Sequence, residues 1–182
     1  TPVNADVGDH AVVITASDGT ASVTDTFTIT VANTNDAPTI SSTAVTAATE
    51  DAAYTYTVTT SDVDANDAVT LTGTTVPSWM TFTASTGVLA GTPVNADVGD
   101  HAVVITASDG TVSVTDTFTI TVANTNDATT GTVTVTGDAY DDELLTAVTS
   151  GLADDDGVGT FTYQWANQDG DITGATSSTY TI

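Results

Sequence analysis

Asp62 and Asp64 stand two residues apart in the stretch SDVDAND. In an extended loop, side chains two apart point the same way, so these carboxylates converge. Converging carboxylates raise one another's pKa unless a cation lies between them. A second supply of oxygens precedes them. VANTNDAPTI (residues 31–40) ends a Val-, Ile- and Thr-rich run in Asn33, Asn35 and Asp36, and returns as VANTNDATT at residues 122–130. Pro38 sets the exit as extended chain. Carboxylates, amides and carbonyls together are the ligand set of Ca2+, which takes about six to eight oxygens. Zinc wants His or Cys, and this chain has 2 His and 0 Cys. DVDAND begins like an EF-hand loop, but the turn position holds Asp67 instead of Gly and the closing position Gly73 instead of Glu. The Gly-rich nonapeptide of calcium-binding β-rolls is absent.

The charge balance bears on the same chemistry. Against 24 Asp plus Glu stand 0 Lys plus Arg, a formal net charge of −24. Nothing here can neutralise phosphate, which excludes nucleic acid and disfavours anionic membranes. A folded chain so charged repels itself and calls for salt or bound cations. With no cysteine there is no disulfide framework. Hydrophobic content of 40% is enough for packed cores, and no apolar run approaches the ~20 residues of a membrane span. The absence of an initiator Met and of a signal segment gives the expectation that the 182 residues are a piece of something longer.

The elements that must hold these oxygens come from a repeat. Residues 1–37 recur as residues 92–128, an offset of 91 (from 1 to 92), with the single difference Ala21 against Val112. In VSVTDTFTITV (residues 112–122), Val112, Val114, Phe118, Ile120 and Val122 share one parity and the polar residues the other, the period of a half-buried strand. Asp116 interrupts the apolar row, which predicts a bulge or a strand edge. YTYTV (54–58), VTLTG (69–73) and FTYQW (161–165) alternate as well, and Ser108-Asp109-Gly110 supplies a turn. No window shows a helical period. The expected fold is all-β: tandem immunoglobulin- or cadherin-like sandwiches of about 90 residues with both terminal units incomplete. The expected domains are residues 1–36 (closing strands of one repeat), 37–127 (a complete repeat) and 128–182 (the opening part of a divergent unit). A lone hairpin is marginal in water, so residues 1–36 are expected to fray, to swap with another molecule, or to be held by their neighbour.

YTYTV, SDVD, PSWMTF, TGVLAGTPVNADVG, ASDG and FTITVANTNDAP, in this order, resemble the dystroglycan-type cadherin-like domains found in tandem in large bacterial surface proteins. The likeness covers residues 1–127. It implies calcium at each junction between modules. Carried over by position, the first junction takes Asp6, Asn33, Asn35 and Asp36 from the upper module and Asp62, Asp64 and Asp109 from the lower. The second takes Glu50, Asp97, Asn124, Asn126 and Asp127 from above. The third unit lacks the repeat's sequence but offers Asp154 and Asp156, again two apart. Asp154 follows Asp127 by nearly the spacing at which Asp62 follows Asp36. The acid expected near Gly8 is missing and Asn33 stands where cadherins usually carry Asp, which implies weaker or fewer ions per junction.

Two other function classes compete. An enzyme is disfavoured because His10 and His101, with the adjacent Asp9 and Asp100, are copied from unit to unit as structural positions are, and no nucleophile–base pair is suggested. Carbohydrate binding would use Trp79 with Tyr54, Tyr56 and Tyr140 as a stacking platform, for neutral glycans only, since Lys and Arg are absent. Trp79 sits among Val76, Met80 and Phe82 and reads as core, as does Trp165, which resembles the strand-C Trp of immunoglobulin folds. The expectation is therefore a calcium-stiffened extender of a secreted or cell-surface bacterial adhesin. Its partners would be the neighbouring repeats of its own chain.

Overall fold

In a computed structural model of the chain, all residues are described except Ala65 and Asn66 of SDVDAND. The chain divides into two compact units, Thr1–Ala123 and Asn124–Ile182.

The first unit opens with a 3-10 turn, Asn4–Asp6, and a hairpin of β1 (Gly8–Ser17) and β2 (Ser22–Val31), in register from Gly8 opposite Val31 to Ser17 opposite Ser22. Then come β3 (Thr39–Ile40), β4 (Ala47–Thr49), β5 (Tyr54–Thr57), β6 (Thr60–Ser61), β7 (Thr70–Thr75), β8 (Met80–Thr83) and β9 (Val88–Gly91). A second 3-10 turn, Asn95–Asp97, leads into β10 (Gly99–Ser108) and β11 (Ser113–Ala123). One sheet runs β4-β11-β10-β7, with β4 parallel to β11; the other runs β5-β9-β8, and β3 pairs with β6. Residues 37–123 are thus an immunoglobulin/cadherin-like β-sandwich.

The period of two explains its core. Val103, Ile105 and Ile120 point inward from one sheet and meet Tyr54, Tyr56, Met80 and Leu89 of the other, with Val58. Leu89, Ile105 and Ile120 are fully buried, each worth about 1.5–3 kcal/mol against exposure. Tyr56 meets Phe118 edge-on, centroids 5.8 Å apart. Strands β8 and β9 lie so close that a Cβ at Gly91 would collide with the Trp79 carbonyl.

Asp116 marks an edge and not a bulge. Register runs unbroken through Ile105 opposite Asp116, and the shift lies between β10 and β7, at Val104/Ile105. Strand β4 covers β11 only at Thr121–Ala123, leaving the Asp116 stretch without a strand partner on that side among the described residues.

The second unit holds β12 (Thr134–Thr136), β13 (Leu144–Val148), β14 (Ala166–Asn167), β15 (Gly170–Asp171) and β16 (Thr179–Thr181). Its sheets are β12-β13-β16 and β14-β15. FTYQW alternates between half-buried and exposed, as expected, yet residues 161–165 are not a strand. Only Trp165 finds backbone partners there, donating to the Ala175 carbonyl (3.0 Å) and accepting from Ile172 N–H (2.9 Å). The Gln164 amide donates to the Trp165 and Ile172 carbonyls, both at 2.9 Å. Trp165 is half-buried, stacks on Tyr180 and donates from Nε1 to the Ser177 carbonyl.

Candidate metal site at the hairpin–sandwich seam

Within the first unit, the chain between β2 and β3 brings the expected oxygens to the top of the sandwich. Pro38, buried, anchors the turn-off. Asp36 N–H donates to Asp64 Oδ2 (2.7 Å), and Asp64 N–H donates to Asp62 Oδ1 (2.9 Å). Asn35 Nδ2 donates to the Asp36 carbonyl (2.8 Å) and to Asp109 Oδ2 (3.0 Å). Asn33 lines the same cleft as Asp64 and Asp67. The seam therefore gathers Asn33, Asn35, Asp36, Asp62, Asp64 and Asp109. Asp6 Oδ2 accepts Val3 N–H and closes its own 3-10 turn (2.9 Å).

Two residues absent from the expected set join it. Asn4 Nδ2 donates to Asp36 Oδ2 (2.8 Å) and, at 3.4 Å, to Asp64 Oδ1. Asp67, whose N–H donates to the Asp64 carbonyl (3.2 Å), is held above the ordinary carboxylate range by burial first, then by the charges of Asp64, Asp62 and Asp109. The available signal for Asp67 was its place as the third acid of SDVDAND. Asn4 carried none beyond its recurrence in VNAD.

Asp109 has a structural job. Its Oδ1 accepts Thr111 and Val112 N–H, both at 2.6 Å, closing the β10–β11 turn. These bonds, the Val112 one first and then that from Asn35, hold its carboxyl below the ordinary range. Asp18 closes the β1–β2 turn in the same way.

Asp64 is 6% exposed, and Asp62 Oδ2 is buried with no hydrogen-bond partner among the described residues. Burying carboxylate oxygen without a donor is costly, and this chain has no Lys or Arg to send. The donor set (carboxylates, amide and backbone carbonyls) and the orphaned oxygen both fit a hard divalent cation. The seam carboxylates do not close into a tight group of three among the described residues.

Of the second expected set, the first unit holds Glu50 and Asp97. Glu50 is 2% exposed, its N–H donating to the Ala123 carbonyl (3.1 Å). Asp97 closes its 3-10 turn through Val94 N–H (3.0 Å), like Asp6. The second unit holds the others and repeats the seam's bonding. Asp127 N–H donates to Asp156 Oδ2 (2.6 Å), Asp156 N–H to Asp154 Oδ1 (3.0 Å), and Asn126 Nδ2 to the Asp127 carbonyl (2.7 Å). Asn124 begins this unit. One bond is new. Thr129 Oγ1 donates to Asp154 Oδ2 (2.8 Å); the matching position in the first copy is Pro38, which has no hydroxyl, and the matching oxygen is the orphan Asp62 Oδ2.

The rival sites do not assemble among the described residues. His10 and His101 each donate from Nε2 to a turn carbonyl, Asp6 and Asp97 respectively, both at 2.6 Å. Because a carbonyl only accepts, both rings carry the Nε2 proton. Tyr54 and Tyr56 are buried in the core and offer no stacking face, while Trp79 packs edge-on against Tyr54 and His101. Tyr140, 73% exposed, belongs to the second unit.

Residues 37–123 match the family model described as "Putative Ig domain". No curated protein matches the chain. Among solved structures, protocadherin gamma B7 extracellular cadherin domains 1–4 are similar over 98% of this chain and 49% of that chain, with TM-score 0.55 and 18% identity. The protocadherin gamma B4 extracellular domain is similar over 95% of this chain and 31% of that chain, with TM-score 0.53 and 16% identity. An endo-fucoidan hydrolase from glycoside hydrolase family 107 shares 31% identity over 68% of this chain and 20% of that chain, with TM-score 0.43. The chain thus spans less than half of each of these proteins. Among the described residues, no helix is long and apolar enough to cross a membrane.

Proposed function

We propose that this chain is a non-catalytic extender segment of a secreted or cell-surface bacterial adhesin, stiffened by Ca2+ where one repeat meets the next. The observation that carries the reading is the first seam. There Asp36 and Asn4 of one repeat are hydrogen-bonded to Asp64 of the following one, beside an Asp62 oxygen buried without a donor. Asp36, Asp62, Asp64 and Asp67, with the amide oxygens of Asn33 and Asn4, would hold the ion; Asn35 and Asp109 tie the two sides together. The ion would supply the positive charge that the side chains lack and would let the carboxylates stay close. Its loss would free the hairpin side to swing. Asp127, Asp154 and Asp156 repeat the chemistry, with one oxygen already satisfied by Thr129.

Extracellular calcium modules bind at about 10⁻⁴–10⁻³ M. At ten times such a Kd, linkage gives about 1.4 kcal/mol, or roughly 5–10 °C in the Tm of a domain this size. The test is calorimetry and small-angle X-ray scattering with Ca2+ and with chelator. Ca2+ is expected to raise Tm by that amount and to lengthen the particle, and Asp62→Asn with Asp64→Asn is expected to remove most of both effects. Superimposable melts and scattering curves in the two buffers would rule the reading out.

A further inference from the structure

Strand β11 has two rows of backbone groups, and part of one row meets no strand. Thr121 N–H points to the β4 side, where it donates to the Thr46 carbonyl (2.9 Å). Backbone groups alternate sides along a strand, so those of Thr119, Thr117 and Thr115 point the same way. Strand β4 pairs only with Thr121–Ala123, which leaves those three without a strand partner on that side among the described residues. The neighbouring β3 lies across a cleft lined by Pro38, Ile40, Ser42, Val114 and Asp116, and it pairs with β6 instead. A free edge is a template for another strand. The strand nearest to hand is its own kind, because Ser113–Val122 recurs unchanged as Ser22–Val31. Misassembly between like units is characteristic of repeat proteins.

One side chain on this edge breaks its row. Val112, Val114, Phe118, Ile120 and Val122 share the inward parity of β11, and Asp116 sits among them, half-buried and opposite the sealed Ile105. Two such edges can pair antiparallel with their free rows facing. The available registers set Asp116 opposite Asp116, Phe118 or Val114 of the other copy, with Cβ atoms about 4.5–5.5 Å apart. Carboxylate opposite carboxylate is repelled, and carboxylate opposite Phe or Val loses water without gaining a donor. Neither copy has a Lys or Arg to offset the charge. Asp25 holds the same position, opposite Ile14, in the other copy of the strand.

We propose that the free half of β11 is a pairing surface for the same strand of a second copy of this chain, and that Asp116 keeps it closed. An inward-pointing charge on an edge strand acts in this way. Its cost to the single sandwich is limited because Asp116 keeps part of its surface in water, and it rises once a second strand covers the cleft. Two β11 edges related by a two-fold axis satisfy each other, so the product of opening the surface is a dimer.

The test replaces Asp116→Val and, separately, Asp116→Thr in the full-length chain. Thr is a strand former at a half-exposed position, so that variant folds. Sedimentation is followed at about 1 M NaCl, where the Debye length is about 3 Å, so that the net charge of −24 does not mask association. Chelator is present throughout, which makes the outcome independent of the calcium reading. Both variants are expected to form a dimer whose share grows with concentration, while the unmodified chain stays monomeric over the same range. Adding Thr117→Pro removes an N–H that faces the free edge and spares the bonds to β10. It is expected to return both variants to monomer. Monomers at every concentration in both single variants overturn the proposal. Dimers of equal extent in the unmodified chain, or after Thr117→Pro, overturn it as well.

Discussion

Asp62 and Asp154 occupy the same bonded position in two settings, and what separates them is one hydroxyl. Thr129 gives Asp154 Oδ2 a donor, while Pro38 leaves Asp62 Oδ2 without one. Pro38→Thr is therefore expected to shrink the gain in Tm on adding Ca2+ to less than half, and calorimetry in both buffers measures it. Asp67 and Asp109 pull in opposite directions with pH. Asp67 titrates above the ordinary carboxylate value, so its ionised form disfavours the fold and acidification through its folded pKa relieves the penalty. Asp109 titrates below it, so its contribution is complete above the unfolded carboxylate pKa and is lost as pH falls through the folded one. At neutral pH in chelator, Asp67→Asn is expected to raise Tm. In Ca2+ the sign should reverse, because a ligand has been removed. Thermal melts of the variant in the two buffers decide it.

At the scale of elements, identical strands carry unequal energetic weight. Ile105→Ala empties a sealed position between the two sheets and is expected to cost about 2–5 kcal/mol. The matching Ile14→Ala, in a 55%-exposed position, is expected to change stability by less than about 0.5 kcal/mol. Urea unfolding of the two variants measures the pair. Alternation of residue types placed β5, β7 and β11 within a residue or two, since the period of two is a local property of the chain. FTYQW shows where that logic stops. Its residues alternate, but a strand also needs a neighbour to take its backbone bonds, and only Trp165 has one. The interruption at Asp116 was equally visible as sequence; that it lies on an uncovered edge depends on how short β4 is.

For the whole molecule, 24 acids without a single Lys or Arg make cohesion a matter of the medium. Raising NaCl from about 0.05 to 0.5 M, which shortens the Debye length severalfold, is expected to raise Tm even in chelator. Millimolar Ca2+ is expected to do more than NaCl of equal ionic strength, because site binding adds to screening. A Tm that follows ionic strength alone would leave the acids as a diffuse charge with no bound ion.

The residues alone determined the all-β class, the repeat, the core parity, and the acids of SDVDAND and VANTND as one oxygen-rich set. All of these follow from patterns local to the chain or copied along it. Only the folded arrangement decided that Asn4 and Asp67 join the seam and that Asp6 and Asp97 close their own turns. Those outcomes turn on which surface lies opposite each residue.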